Sequence, residues 1–340
     1  MTDTAARYRG NRRIDVEPVF LRPPRPGEVQ VEVAFVGIGG TDLHVFHGTM
    51  DARVGQDRII GHEMSGRVAT LGAGVTRFAV GEPVVVRPLE PCGDCPACAA
   101  GHLHICHRLK FLGLDTDGEM QSRWNVPAHT LHRLPAGLAL DLAAMVEPLA
   151  VAVHDLRRAR LSVGEVALII GGGPIGMLIA LVARAEGARV ILSEVNAARL
   201  AMAREMGFDV LNPREGDVAE GVLDRTGGAG ADVVFEVSGT QPGVELMTAA
   251  VRARGRIVMV AIHATRPQVD QFRFFWREVE MLGARVYEPA DYDRAIALLA
   301  EGLPVARLIT DRVPLARVQA AFEALEDSPT AMKTLIEVAA

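Results

Sequence analysis

Cysteine is absent from this 340-residue chain except in the fifteen positions from Cys92 to Cys106, where all four occur. A disulfide framework spread through the fold is therefore excluded. An excess of positive charge is lacking too: 36 Lys and Arg against 42 Asp and Glu leave a formal net charge of -6, which offers no general attraction to nucleic acid or an anionic membrane. The early arginines, Arg7, Arg9, Arg12 and Arg13, are too few to reverse that and read as a solvated tail. No apolar run opens the chain, so no export signal is expected and the cytoplasm is the expected compartment. The most apolar stretch, Val166 to Ala185, is broken by three consecutive glycines and a proline, and reads as strand, tight turn and buried helix instead of a membrane span. What remains is an ordinary globular composition, 49% hydrophobic and 23% charged, in a chain long enough for two domains.

Cys92, Cys95, Cys98 and Cys106 are spaced by three, three and eight residues, with Gly93, Pro96 and Gly101 supplying turns between them. Four thiolates on one small centre are the ligand set of a closed, tetrahedral structural zinc. An iron–sulfur cluster would use the same atoms, and disulfides fit the arithmetic but not a reducing compartment. His102, His104 and His107 lie beside the lobe and read as surface residues, since four thiolates already complete a site.

A second signature begins at Glu165. A short apolar strand to Ile170 is followed by GGGPIG and an apolar helix through Arg184. Gly171 would make the tight turn, Gly173 would let the backbone approach a pyrophosphate, and Gly176 would let helix pack closely on strand, with Pro174 and Ile175 opening the helix. A second strand, Ala188 to Leu192, leads to Glu194, 23 residues after Gly171, where a carboxylate accepts ribose hydroxyls and repels a 2′-phosphate. NAD is expected in preference to NADP. Arg199 stands nearby for a ribose or phosphate. Further strands at Ala231–Val237, ending beside Ser238, and at Arg256–Val260, with a helix over Pro242–Ala253 between them, continue a βαβ organisation.

The first 145 or so residues have a different texture. Short β-rich runs such as VQVEVAFVGI and GEPVVV alternate with Gly/Pro turns, which fits an all-β partial barrel. Three local motifs stand out: GGTDLH at 39–44, GHE at 61–63 and VEPLA at 146–150. Together with the four-cysteine lobe and the nucleotide-binding unit, the chain resembles the zinc-containing medium-chain dehydrogenases over nearly its whole length, closest to the polyol, butanediol and threonine dehydrogenase branch.

The resemblance implies a GroES-like catalytic domain, residues 1–145 and 281–340 with the structural-zinc lobe at 92–106, and a Rossmann NAD-binding domain at 146–280. It implies a homodimer or homotetramer, and a second, catalytic zinc between the domains. His62 matches the zinc-binding histidine, Glu63 its adjacent acid, and Glu147 the further acid of this branch. Thr41 and His44 match the hydroxyl and imidazole that carry the alcohol proton outward. The implied activity is reversible NAD-dependent oxidation of a small secondary alcohol, polyol or sugar-like hydroxyl.

Two departures qualify that expectation. Where the family has a zinc-binding cysteine this chain has Gly39, and the other cysteines are committed to the lobe. The imidazole and two carboxylates that remain still suffice for zinc or another divalent metal, with Asp42 as an additional donor or a helix cap. The missing ligand also keeps open a non-redox enzyme with tightly bound, recycled NAD, or a non-catalytic NAD-binding protein. At 118–124 the family run Gly-Gly-Phe-Ala-Glu-Tyr is replaced by GEMQSRW, which puts Ser122 and Arg123 where an acid and an aromatic usually stand. Arg123 would suit an anionic substrate or a surface salt bridge. The aromatic cluster Phe272-Arg273-Phe274-Phe275-Trp276 is read as domain packing in preference to substrate lining.

Overall fold

The computed structural model describes residues 3–328 and 330–339. It divides into two compact units, residues 1–148 with 288–340, and 149–287.

The first unit is β-rich. Its main sheet runs in the order Leu131–Arg133, Pro83–Val86, Met64–Leu71, Glu28–Gly37, Lys333–Glu337, Ile309–Pro314, with Arg123–Pro127 also paired to Glu28–Gly37. Glu28–Gly37 is the organising strand: Val29, Val31 and Val33 are fully buried, the period-2 pattern of a strand with one face on a core. The C-terminal strand Lys333–Glu337 lies antiparallel beside its end, with Leu335 opposite Gly37, and so returns the end of the chain to the first unit. The early arginines are not a solvated tail. Thr4–Tyr8 pairs with Ile14–Pro18 and Arg58–Ile59, turning through Gly10 and Asn11 at positive φ, and Arg7 Nε donates to Glu17 Oε1 at 2.8 Å. Arg9 meets Glu17 and Asp57, Arg12 meets Glu326 and Arg13 meets Asp15, so folding sets a carboxylate beside each arginine, which composition near a terminus does not reveal.

The second unit carries a six-stranded, all-parallel sheet in the order Asp209–Leu211, Arg189–Ser193, Val166–Ile170, Ala231–Glu236, Val251–Met259, Glu280–Gly283. Numbered along the chain this is 3-2-1-4-5-6, the doubly wound dinucleotide-binding order. Val166–Ile170 is buried along its length and packs with Ile191, Val234, Met247 and Ile257. The stretch 166–185 is accordingly a strand, a turn and the helix Pro174–Ala185, and no helix among the described residues is long and apolar enough to cross a membrane.

Two local expectations fail. The helix expected to reach Ala253 ends at Ala250, because Val251 is already extended and opens the next strand, which then passes Arg254 at φ +54. The aromatic cluster forms the helix Gln271–Arg277, but Phe272, Phe275 and Trp276 are 64%, 76% and 71% exposed, and only Phe274 packs against the core.

Candidate metal and nucleotide sites

The four cysteines converge. Their sulfurs lie 3.3 Å (Cys92–Cys106), 3.5 Å (Cys95–Cys98), 3.8 Å (Cys95–Cys106) and 4.0 Å (Cys92–Cys98) apart. A tetrahedral ion with sulfur at about 2.3 Å would set its ligands about 3.8 Å apart, so the cluster already has the size of a zinc–thiolate site and no pair is at disulfide distance. Backbone N–H groups point at the sulfurs: Cys92 N and Arg108 N donate to Cys106 Sγ at 3.3 Å, and His107 N to Cys95 Sγ at 3.4 Å. Such donors, from Cys98 and His107, hold the Cys95 thiol down to about 6, while burial pushes Cys98 up to about 12. His102 and His107 are exposed, as expected, and His104 is half-buried.

The second cluster is built where three segments meet. The chain leaves Ile60 through Gly61 at φ +101, and a Cβ there would lie 3.0 Å from both Val36 and Met120 side chains, so this turn requires glycine. It delivers His62 and Glu63 to the interior beside Gly37, whose N–H donates to Glu63 O at 2.8 Å. Glu147 comes from the first turn of the helix Val146–Ala159. One potential ligand atom from each of His62, Glu63 and Glu147 falls within 4.8 Å of the others, and all three side chains are buried.

Asp42, on the short helix Gly40–Phe46, does two jobs. Its Oδ2 accepts from Gly39 N at 2.9 Å, and its Oδ1 lies 3.3 Å from His62 Nδ1. A carboxylate behind a ligating imidazole fixes the ring and leaves the other nitrogen for a metal. Burial by itself would lower the His62 imidazole, but the carboxylates of Asp42, then Glu147 and Glu63, outweigh it and push its pKa up to about 10. In the absence of a metal, the proton on His62 is the cation that this anionic pocket attracts.

Glu63 is not the free ligand that the motif suggested. Lys333, buried on the C-terminal strand, donates to both its oxygens at 2.9 and 2.6 Å and to Ile38 O at 3.2 Å. The pair also accounts for the space at Gly39: a Cβ on that residue would stand 2.6 Å from Glu63 Oε1. The carboxylate occupies the room that a side chain at 39 would need.

Thr41 and His44 share one face of the short helix, Thr41 half-buried and His44 exposed, and His44 is not among the ligand atoms gathered at His62. Arg123 lies apart from it. Arg123 pairs with Glu32, five residues before Gly37, which is roughly 16 Å along the strand. Its Nε is 3.5 Å from Asp3, a partly exposed surface salt bridge, while Ser122 bonds to Thr4 on the same edge. Sequence reading missed Lys333 and also Glu119, which is fully buried with neither carboxylate oxygen hydrogen-bonded among the described residues. A lone lysine in an apolar strand and a lone acid between Gly118 and Met120 were the available signals.

In the second unit the glycine turn has the expected close contacts. Gly171 is at φ +105, where a Cβ would touch the Ser238 backbone at 3.1 Å, and one at Gly176 would strike Gly171 O. Gly173 precedes Pro174, the first residue of the helix, and a Cβ there would meet only Arg199, with Nη1 at 3.5 Å, leaving room for a ligand over the helix N-terminus. Ile175 is half-buried in the first helical turn. Glu194 sits at the end of its strand and accepts from Gly172 N at 2.8 Å, Val195 N at 2.6 Å and Asn196 N at 2.8 Å, with Arg199 Nη1 3.9 Å away. Ser238 ties its own turn to Glu236 and Thr240.

This combination of a doubly wound sheet with a glycine turn, a β-rich unit with a His/Glu cluster and a four-thiolate lobe is that of a zinc-binding, NAD(P)-linked oxidoreductase. Residues 25–136 match the alcohol dehydrogenase GroES-like domain and residues 174–301 the zinc-binding dehydrogenase family. The chain belongs to the zinc-binding dehydrogenases and is an NAD(P)-dependent oxidoreductase acting on a hydroxyl of the alcohol, polyol or sugar type. It is 53% identical over 334 residues, 98% of each chain, to a 2-dehydro-3-deoxy-L-galactonate 5-dehydrogenase of Pseudoalteromonas atlantica. It is 32% identical over 305 residues, 88% of this chain and 89% of the other, to an L-galactonate-5-dehydrogenase of Escherichia coli. The crystal structure of a zinc-binding dehydrogenase from Sinorhizobium meliloti 1021 bound to NADP superposes with a TM-score of 0.92 at 30% identity, covering 99% of this chain and 100% of that one.

Proposed function

We propose that this enzyme oxidises, reversibly, a secondary hydroxyl of a small sugar acid of the 2-keto-3-deoxy-aldonate class, with NAD as hydride acceptor. The observation that carries this is the 53% identity, across nearly all of both chains, to a dehydrogenase named for position 5 of such an acid. In this reading residues 149–287 hold the nucleotide, and residues 1–148 with 288–340, which include Glu147, hold the metals. There the bound ion would supply Lewis acidity toward a hydroxyl oxygen and the bound nucleotide a hydride acceptor.

The residues of the chain prepare that event. His62, with Asp42 3.3 Å from its Nδ1, would hold the ion together with Glu147 and a Glu63 anchored by Lys333. Buried carboxylates replace a thiolate here, which makes the site harder and admits manganese or cobalt as well as zinc. Thr41 and His44, on one helix face, pass the released proton outward to the exposed imidazole. Glu194 organises the cofactor turn and disfavours a 2′-phosphate, supporting NAD, while Arg199 beside Gly173 steadies the nucleotide. An assembly of two or four copies would cover the exposed face of Phe272, Phe275 and Trp276.

The test combines metal content with turnover. Protein purified without chelator should carry about two divalent ions per chain, one of them in the four-thiolate lobe. It should form NADH at least tenfold faster with 2-keto-3-deoxy-aldonates than with sorbitol. A single ion per chain even after zinc is added back, with nucleotide co-purifying and no NADH formed from any hydroxyl compound, would replace this reading with a non-redox reaction on recycled NAD.

A further inference from the structure

The His62 pocket gathers four buried carboxylates, Asp42, Glu63, Glu119 and Glu147. Two of them have evident partners: Lys333 takes Glu63, and the Gly39 N–H with the His62 ring takes Asp42. Glu119 has none. Its side chain is fully buried, and both oxygens lack a hydrogen bond among the described residues. A carboxyl group left this way is costly whether ionised or protonated, because neither its acceptors nor its O–H would be satisfied.

The backbone puts Glu119 at the site. Glu119 N donates to Gly61 O at 3.3 Å and Met120 N to Ile60 O at 3.0 Å, so its segment runs against the turn that delivers His62. The approach is tight: a Cβ at Gly118 would stand 2.4 Å from Gly61 O. The charges that act most on Glu119 are His62 first, then Glu147, Asp42 and Glu63, which are the members of the pocket. His62 Nδ1 and Asp42 Oδ1 face each other at 3.3 Å in the same pocket, which leaves Glu119 as the carboxylate there with no partner among the described residues.

We propose that Glu119 is a metal ligand of the His62 site, contributing the anionic donor that Gly39 lacks. Resting on the metal-dependent reading above, this assigns a fourth protein ligand to the second ion. Glu119 stands outside the 4.8 Å group of His62, Glu63 and Glu147, so ligation requires its side chain to swing inward. The swing gives the oxygens the partner that they lack.

Zinc and cobalt(II) titrations of the full-length protein against a competing chelator test this, with the ion in the cysteine lobe as internal count. Glu119→Gln keeps the shape and removes the ionisable donor, so the fold should persist. It should weaken the second ion at least tenfold, leave the first unchanged, and alter the visible cobalt spectrum of the second site. The double variant Gly39→Cys/Glu119→Gly supplies a thiolate in place of the carboxylate, with the flexible Glu63 head shifting aside to admit its Cβ. It should regain tight binding of the second ion, with a new sulfur-to-cobalt charge-transfer band. Second-ion affinity and cobalt spectrum unchanged in Glu119→Gln would overturn the proposal while leaving the metal reading intact. Wild-type protein that binds only one ion under all conditions would overturn both.

Discussion

At Gly39, Glu63 and Lys333 the physical chemistry of single residues decides what the pocket is. A glycine at 39 leaves a volume that the Glu63 carboxylate enters, and a lysine arriving from the last strand neutralises that carboxylate with two hydrogen bonds. Both partners are nearly fully buried, 2% and 3% exposed, so the pair is not screened as a surface ion pair would be. Removing one member leaves an uncompensated buried charge, typically costing about 3 to 5 kcal/mol. Lys333→Met should therefore lower the urea midpoint strongly with little change in the denaturant slope. Lys333→Met/Glu63→Gln, which removes both charges, should recover most of that loss. A single variant as stable as wild type would mean that Glu63 finds another cation or takes up a proton without cost. The same geometry says that Gly39→Ala is not a silent change, because its methyl group must displace Glu63 Oε1.

Between secondary-structure elements, the legible parts are those whose functional atoms are close in sequence. The cysteine lobe spans fifteen residues, and the glycine turn joins one strand to the next helix; in both, spacing alone dictates which atoms meet. The β-rich and βαβ textures were legible for a similar reason, since period and turn residues act locally. Glu63 and Lys333 are 270 residues apart and meet only because the C-terminal strand adds beside Glu28–Gly37; Glu119 reaches His62 only through the packing of Gly113 and Gly118 on Gly61. No local pattern encodes either meeting. Glu194 lies between these cases: its position after the second strand was readable, but its three backbone donors were not, since these depend on how the two turns face each other. The lobe yields a prediction at this scale. It contains only the short helical pieces Pro96–Ala99 and Leu103–Ile105, so the sulfur cluster is what closes it, with Cys95, Cys98 and Cys106 as its buried centre. Cys106→Ser should remove one zinc per chain by elemental analysis and open residues 92–110 to limited proteolysis, while the parallel sheet of the second unit keeps its nucleotide affinity. Unchanged zinc content would mean that the lobe does not hold the ion.

Across the whole molecule, the pocket couples folding to pH and to metal. Two of its buried groups have raised pKa values, for different reasons. Burial alone would depress the His62 imidazole from its ordinary 6.5, yet Asp42, Glu147 and Glu63 raise it to about 10. Burial raises Glu119 well above the ordinary 4.5, with the neighbouring carboxylates adding to it and His62 opposing. The sign is the same for both. A raised histidine stabilises the fold fully below about pH 6.5, and that contribution is lost as pH climbs through about 10; a raised carboxyl stabilises fully below about pH 4.5 and loses its contribution as pH passes its own elevated value. Metal-stripped protein should therefore become less stable between pH 7 and pH 10, where exposed carboxylates no longer titrate. A divalent ion competes with the His62 proton for the same negative pocket, so its binding strengthens over the same range and opposes the loss. Urea midpoints of stripped protein at pH 7 and 9.5 should fall with pH, and the fall should shrink on adding zinc. His62→Gln, which cannot take the proton, should show the shallower slope even without metal. Equal slopes for stripped wild type and His62→Gln would show that the proton on His62 does not stand in for the metal, and that the carboxylates of the pocket are balanced by other groups.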